Sequence, residues 1–219
     1  MKKIILSFIV CSLLLSTQTV FAQSKKAASK TKKITETSKN SKATDAPKST
    51  TQEEMMQAWQ LYMTPNDIHK MIAMSDGDWS GEVTHWMAPD ATPMRSKCSA
   101  VNKMIMGGRY QTSEFRGEFM GMPFEGMSIL AYDNTLRTFI STWIDNMGTG
   151  VMVLKGIWDE KTKSITFRGK CVDPTTGKET DVREVFTIVD ERSQTMVMYA
   201  PTPDGKGEYK TMEIKFAKG

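Results

Sequence analysis

Lys163-Ser164-Ile165-Thr166-Phe167-Arg168-Gly169-Lys170-Cys171-Val172 is the stretch on which the fold turns. On an extended chain Ile165, Phe167 and Cys171 share one face, and Thr166, Arg168 and Lys170 share the other. A period of two held over this length is the mark of a half-buried strand. On either side lie Asp159 to Lys163 and Asp173-Pro174-Thr175-Thr176-Gly177, rich in the residues that favour tight turns for backbone reasons. A strand between two short turns calls for antiparallel neighbours.

The same grammar extends in both directions. Strand-like runs fall at 78–88, 94–105, 109–119, 125–132, 136–144, 150–158, 163–172, 179–190, 194–201 and 207–216. Turn signals separate nearly all of them, among them Gly107-Gly108, Gly121 to Pro123, Asp133-Asn134, Asn146 to Gly150 and Pro203-Asp204-Gly205. The expectation is an all-β fold, an antiparallel up-and-down barrel of about ten strands. Closure removes the exposed edges that an open sheet of this size would present. A β-sandwich satisfies the same periodicity. One run breaks the alternation: Val151, Met152, Val153 and Leu154 make both faces apolar, which predicts that the N-terminal helices cover that part of the outer wall.

Those helices precede the strands. Gln52 to Met63 carries Met55, Met56, Trp59 and Met63 at helical spacing. Thr64-Pro65-Asn66-Asp67 then supplies an N-cap, a proline at the first helical position and an acid in the first turn. A second short helix follows to about Met74, with Ile68, Met71 and Ile72 apolar, and Gly77 ends it.

Upstream, the chain changes character twice. Met1-Lys2-Lys3, an apolar run from Ile4 to Leu15 and Val20-Phe21-Ala22 form the three regions of an export signal, with cleavage expected after Ala22. The apolar run is too short to span a bilayer, and Cys11 lies inside it, not at a lipidation site. Residues 23–51 are Lys-, Ser- and Thr-rich with Ile34 as their one branched aliphatic residue. They read as a disordered linker, leaving residues 52–219 as one domain of a size that supports a sizeable core. The mature protein is expected in the periplasm or outside the cell, with no transmembrane segment.

The charge is unevenly placed. Residues 23–50 hold eight lysines against Glu36 and Asp45, so the net charge of +4 belongs to the signal and the linker. The slightly acidic domain lacks the basic face of a nucleic-acid binder. The linker is either a solvated spacer or a weak contact for an anionic envelope surface.

The chain also carries an ordered set of motifs: Gly77-Asp78-Trp79-Ser80-Gly81, Gly107-Gly108-Arg109-Tyr110, Gly121-Met122-Pro123-Phe124-Glu125-Gly126, Tyr132-Asp133, and Ser141-Thr142-Trp143-Ile144-Asp145-Asn146-Met147-Gly148-Thr149-Gly150. Through these, residues 55–219 resemble a bacterial family of domains of unknown function, number 1579. The resemblance implies a lipocalin-type (calycin) barrel and no particular activity. Lipocalins also open on Gly-x-Trp and pack that Trp near an Arg from a late strand, where this chain offers Lys210 and Lys215. Nitrobindin-like haem barrels share the Gly-x-Trp-x-Gly opening but use a late His as ligand, and the last His here is His85.

No catalytic or metal motif emerges. His69 and His85 stand without H-E-x-x-H or C-x-x-C spacing, short of the three ligands that metal catalysis needs, and no G-x-S-x-G is present for a hydrolytic triad. Neither a metal nor a cofactor is expected. Cys98 and Cys171 fall on strands that a meander keeps apart, which favours two buried free thiols over a disulfide. Methionine is abundant, with Met104/Met106, Met120/Met122 and Met196/Met198 at strand spacing. Thioethers select Cu(I), yet no His or Cys cluster accompanies them, and Met commonly lines cores and adaptable pockets. Asp145, Asn146 and Thr149 sit beside Trp143 on a hairpin, as polar groups at a barrel mouth or as ordinary turn residues.

These readings converge on an exported barrel that binds a small apolar or amphipathic molecule. The expected lining is Trp79, Met104, Met106, Trp143, Met196 and Met198, with Asp145 at the rim. The alternative is a non-enzymatic envelope interaction or structural protein whose barrel is filled by its own side chains and whose basic tether docks it.

Overall fold

The computed structural model describes residues 50–219. The export signal and the linker as far as residue 49 lie outside the described residues. Two helices come first, α1 (Gln52–Met63) and α2 (Asp67–Ala73). Ten strands follow: β1 (Gly77–His85), β2 (Met94–Ile105), β3 (Tyr110–Phe119), β4 (Met122–Asp133), β5 (Thr138–Asp145), β6 (Met152–Asp159), β7 (Ser164–Asp173), β8 (Lys178–Asp190), β9 (Ser193–Pro201) and β10 (Glu208–Lys218).

Each strand pairs antiparallel with its sequence neighbours, and β10 returns to β1, so the sheet is a closed barrel and not a sandwich. The turns that separate the strands are those whose residues demand them. Gly107, Gly108, Gly121, Gly177 and Gly205 all take positive φ, conformations that cost glycine nothing. Asp133, Asp159, Asp173 and Asp204 each accept a backbone N–H two residues on, the side-chain device that starts an Asx turn.

Period two sorts the residues as expected along β7, where Ile165, Phe167 and Cys171 face inward. Along β6, Met152 and Leu154 point in while Val153 and Ile157 stand exposed outside, and Val151 just before the strand is exposed too. Among the described residues no helix covers that wall, contrary to the sequence expectation.

The helices are instead at one end of the barrel. On α2, His69 and Ile72 are buried. Ile72 joins Phe139, Leu154, Ile165, Phe167 and Val182 in a core cluster, with Ile68 and Met71 packed against it. The helix is capped by Asn66, whose Oδ1 accepts the Ile68 N–H at 3.0 Å, while His69 Nδ1 accepts the Asn66 N–H at 3.2 Å. Thr64 is therefore not the cap of α2; its hydroxyl donates to the Gln60 carbonyl and ends α1.

α1 starts in a capping box between Thr51 and Glu54, yet none of its residues is buried. Its Met55, Met56, Trp59 and Met63 have the helical spacing read from the sequence but face solvent. Asn134, in the β4–β5 turn, holds its end by donating to the carbonyl of Thr64 at 2.8 Å. Among the described residues no helix is long and apolar enough to cross a membrane.

Candidate functional site

The interior of the barrel is hollow. A cavity of about 470 Å³ runs from α2 to the opposite rim, in the size range of small-molecule sites. Its walls are mainly apolar, formed by the inward positions of the strands.

The floor is built from the residues that join α2 to β1. Trp79, 3% exposed, donates its indole N–H to the Ser75 carbonyl at 2.8 Å. Asn102 Nδ2 donates to the same carbonyl at 3.0 Å. Gln111 Nε2 donates to the Ile72 carbonyl at 3.0 Å and to Asp76 Oδ1 at 2.7 Å, and Asp76 Oδ2 accepts the Met104 N–H at 2.9 Å. Buried polar groups are tolerated when bonded in this way. Outside the floor, Lys218 Nζ lies 5.5 Å from the centroid of the Trp79 ring and donates to the Met74 carbonyl. The cation that the last strand lays on the opening Trp is thus Lys218, and neither Lys210 nor Lys215.

The rim is aromatic. Trp143 stacks on Phe124 at 6.2 Å between centroids and meets Phe115 edge-on at 5.0 Å, arrangements that aromatic quadrupoles favour. Its indole N–H donates to Asp145 Oδ2 at 2.7 Å, and Asp145 Oδ1 accepts the Met147 N–H at 2.9 Å. Asn146 spans the β4 end of the same region, accepting the Glu125 N–H and donating to the Pro123 carbonyl. The polar atoms of Asp145 and Asn146 therefore tie the β5–β6 loop to the rim, which is turn chemistry.

Of the residues expected to line the interior, Trp79, Trp143, Asp145, Met196 and Met198 do lie on the cavity wall. Met104 packs against the core cluster of Ile72, Phe139, Leu154, Ile165, Phe167 and Val182 but does not line the cavity. Met106 is a correction. β2 ends at Ile105, so Met106 falls in the turn with φ 50°, 69% exposed, and the period that paired it with Met104 has stopped. Met120 and Met122 are likewise exposed at the β3–β4 turn. The thioethers that sequence reading left out are Met71, Met147, Met152 and Met212, all on the wall.

Cys98 and Cys171 are free and face the same cavity. Burial pushes the Cys98 thiol up to about 11 and raises that of Cys171, where Asp173 adds to the effect. His69 is occupied as the cap partner of α2, and burial, with Arg109 nearby, lowers its pKa. His85 lies on the wall with its ring edge-on to Phe119 at 5.1 Å, and burial lowers its pKa too. Among the described residues no three His, Cys, Asp or Glu side chains converge on a point where a metal ion would fit.

One wall residue was not singled out from the sequence at all. Glu184 on β8 faces inward between Val182 and Phe186. Burial among wall side chains pushes its carboxyl up to about 7. The signal was present, since Val182, Glu184, Phe186 and Ile188 share one phase. It was masked because Val185 and Val189 make the other phase apolar as well.

Comparison with known proteins places this barrel among others. The model of a family described as "Protein of unknown function (DUF1579)" matches residues 64–218. No curated protein matches. Among solved structures, Rv2717c from M. tuberculosis superposes with a TM-score of 0.54 at 12% identity, covering 71% of this chain and 99% of that one. The S-type phycobiliprotein lyase CPES from Guillardia theta gives a TM-score of 0.49 at 9% identity, covering 69% of this chain and 92% of that one. At 12% identity the likeness to Rv2717c is one of fold.

Proposed function

Since the chain belongs to the DUF1579 family, whose description states no activity, we propose a function from the barrel itself: it binds a small apolar or amphipathic molecule in its interior. The observation that carries this reading is the cavity of about 470 Å³ with mainly apolar walls. A barrel serving only as a structural or docking body has no need of such a volume, because each unfilled space forfeits dispersion contacts. Six methionines on the wall, Met71, Met147, Met152, Met196, Met198 and Met212, support an adaptable site that tolerates some variety of shape.

The proposed place of action is outside the cytoplasm. Lys2-Lys3, the apolar run after them and Ala22 support export, and the lysine-rich stretch that follows then serves as a spacer or a weak electrostatic contact with an anionic envelope surface. Sequencing of the protein recovered from cells is expected to begin at Gln23; a chain still starting at Met1 overturns the export reading.

Native mass spectrometry of the protein purified from its own cells tests the binding reading. The expected result is a recurrent small apolar adduct, released under mild activation and lost when Met198 is replaced by Lys. A clean unliganded mass, with no quenching of Trp79 and Trp143 fluorescence across a panel of apolar probes, overturns it.

A further inference from the structure

Inside a wall of apolar side chains, Glu184 stands out as a carboxyl group with nothing to bond. Across the β7–β8 pair it faces Phe167, and across the β8–β9 pair it faces Met198. Among the described residues no hydrogen bond or ion pair reaches its carboxyl, and burial alone displaces its titration. The adjacent Arg183 belongs to the outer face, where it pairs with Glu208 at 2.7 Å and covers the Tyr199 ring at 3.8 Å. Glu184 is partly buried and lines the cavity, so its unpaired carboxyl is open to a group bound inside, and a charge-assisted bond to such a group offsets the cost of taking the acid out of water.

The same row of residues continues around the barrel as Met198, Met212 and His85. Glu184 and His85 are three strand spacings apart, about 14 Å along the wall, with two thioethers between them. The other titratable groups on the wall leave Glu184 unanswered. Lys97 and Glu118 are exposed at the rim, Asp145 is bonded to Trp143 and Met147, burial raises the pKa of both Cys98 and Cys171, and burial lowers that of His85, which disfavours its cationic form. Among the described residues, Glu184 is thus the acid on the inner wall that has neither a partner nor a place at the rim, and no lysine or arginine side chain lines the wall below the rim.

We propose that Glu184 is the anchor for the polar head of the ligand, and that this head is an amine. The proposal rests on the reading of the cavity as a binding site and names the ligand class. An ammonium group gives the carboxylate a charge-assisted hydrogen bond in a medium where such bonds are strong, while its hydrocarbon part lies along Met198, Met212 and Phe186. A carboxylate head, the usual end of a fatty ligand, meets like charge at Glu184 and no interior cation to receive it.

The test uses three probes of equal chain length, decylamine, decanol and decanoate, titrated into the protein with quenching of Trp79 and Trp143 as the readout. At a pH of about 8, above the value of about 7 at which Glu184 titrates, decylamine is expected to bind roughly tenfold or more tighter than decanoate. Glu184→Gln, isosteric and uncharged, should abolish that preference and leave decanol affinity within about twofold. In the wild-type protein the preference should also shrink as the pH falls below about 6, where Glu184 takes up its proton. Equal affinity for amine and carboxylate, or a preference that survives both Glu184→Gln and acidification, overturns the anchor while leaving the cavity as a binding site. Failure of all three probes to bind overturns both.

Discussion

The six-membered ring of Trp143 covers the space where Gly126 would carry a side chain, so close that a methyl group added there would come within 2.6 Å of Cη2. Gly126 sits opposite Asp145 on the neighbouring strand, and the indole leans across it to reach that carboxylate. The absence of a side chain at one residue is what positions the aromatic rim at another.

Gly126→Ala should therefore displace the Trp143 ring and cost about 1–3 kcal/mol of stability, as overpacking does. Gly150, with open space around it, is the control, and Gly150→Ala should change stability by less than about 0.5 kcal/mol. Urea unfolding followed by tryptophan fluorescence measures both, and a red-shifted emission is expected for Gly126→Ala alone.

Glu184 links stability to pH. Its folded carboxyl titrates at about 7 against an ordinary value of 4.5, so the folded state holds its proton more tightly than the unfolded one. The contribution is fully present below about pH 4.5 and is lost as the pH rises through about 7. Across that window the empty protein should lose up to about 3 kcal/mol relative to Glu184→Gln. Denaturant midpoints of the two proteins at a series of pH values check it, and parallel curves would refute it.

Cys98 on β2 and Cys171 on β7 stand five strands apart in either direction around a ring of ten. The distance is far beyond the reach of a disulfide. The chain from Gln23 onward should show two thiols to a thiol reagent after unfolding, under oxidising conditions as well as reducing ones. In the folded state at a pH of about 8 the Cys98 thiol, held up to about 11, should react at least tenfold more slowly than a free cysteine.

Gln111 is 3% exposed and bonds both the end of α2 and Asp76. Gln111→Ala strands those partners and should cost about 2–4 kcal/mol. Hydrogen exchange is expected to quicken first in residues 67–76 and to leave β5 to β8 protected, since α2 loses its fastening before the barrel loses its pairing.

Much of the barrel was legible because its punctuation is chemical. Asp and Gly sit where Asx turns and positive φ require them, so strand number, order and facing followed from residues such as Asp133, Asp173 and Gly177. The helices were legible as helices but not in their placement. Spacing finds the apolar side of α1 without saying what it meets, and it meets solvent. Asn66 displaced Thr64 as the cap of α2 because the turn between the helices places its side chain over the first free N–H.

The site was less legible than the fold. Trp79, Trp143, Met196 and Met198 lie on strands whose phase is clear, whereas Met106 depended on a strand continuing one residue too far. Glu184 was obscured for the reason that makes it interesting. An acid in phase with Val182, Phe186 and Ile188 contradicts the pattern that identifies an inward face, and such local contradictions are where function is expected to reside.

With α2 fastened beneath the barrel by Trp79, Asn102 and Gln111, a ligand of the kind proposed would have to enter and leave by the opposite rim, where Phe119, Phe124 and Met147 line the cavity. Traffic is single-file, as in a stoppered flask. A newcomer does not push the resident out from behind, so exchange waits on spontaneous departure, and the dwell time is set by the width of the neck and not by the abundance of competitors outside.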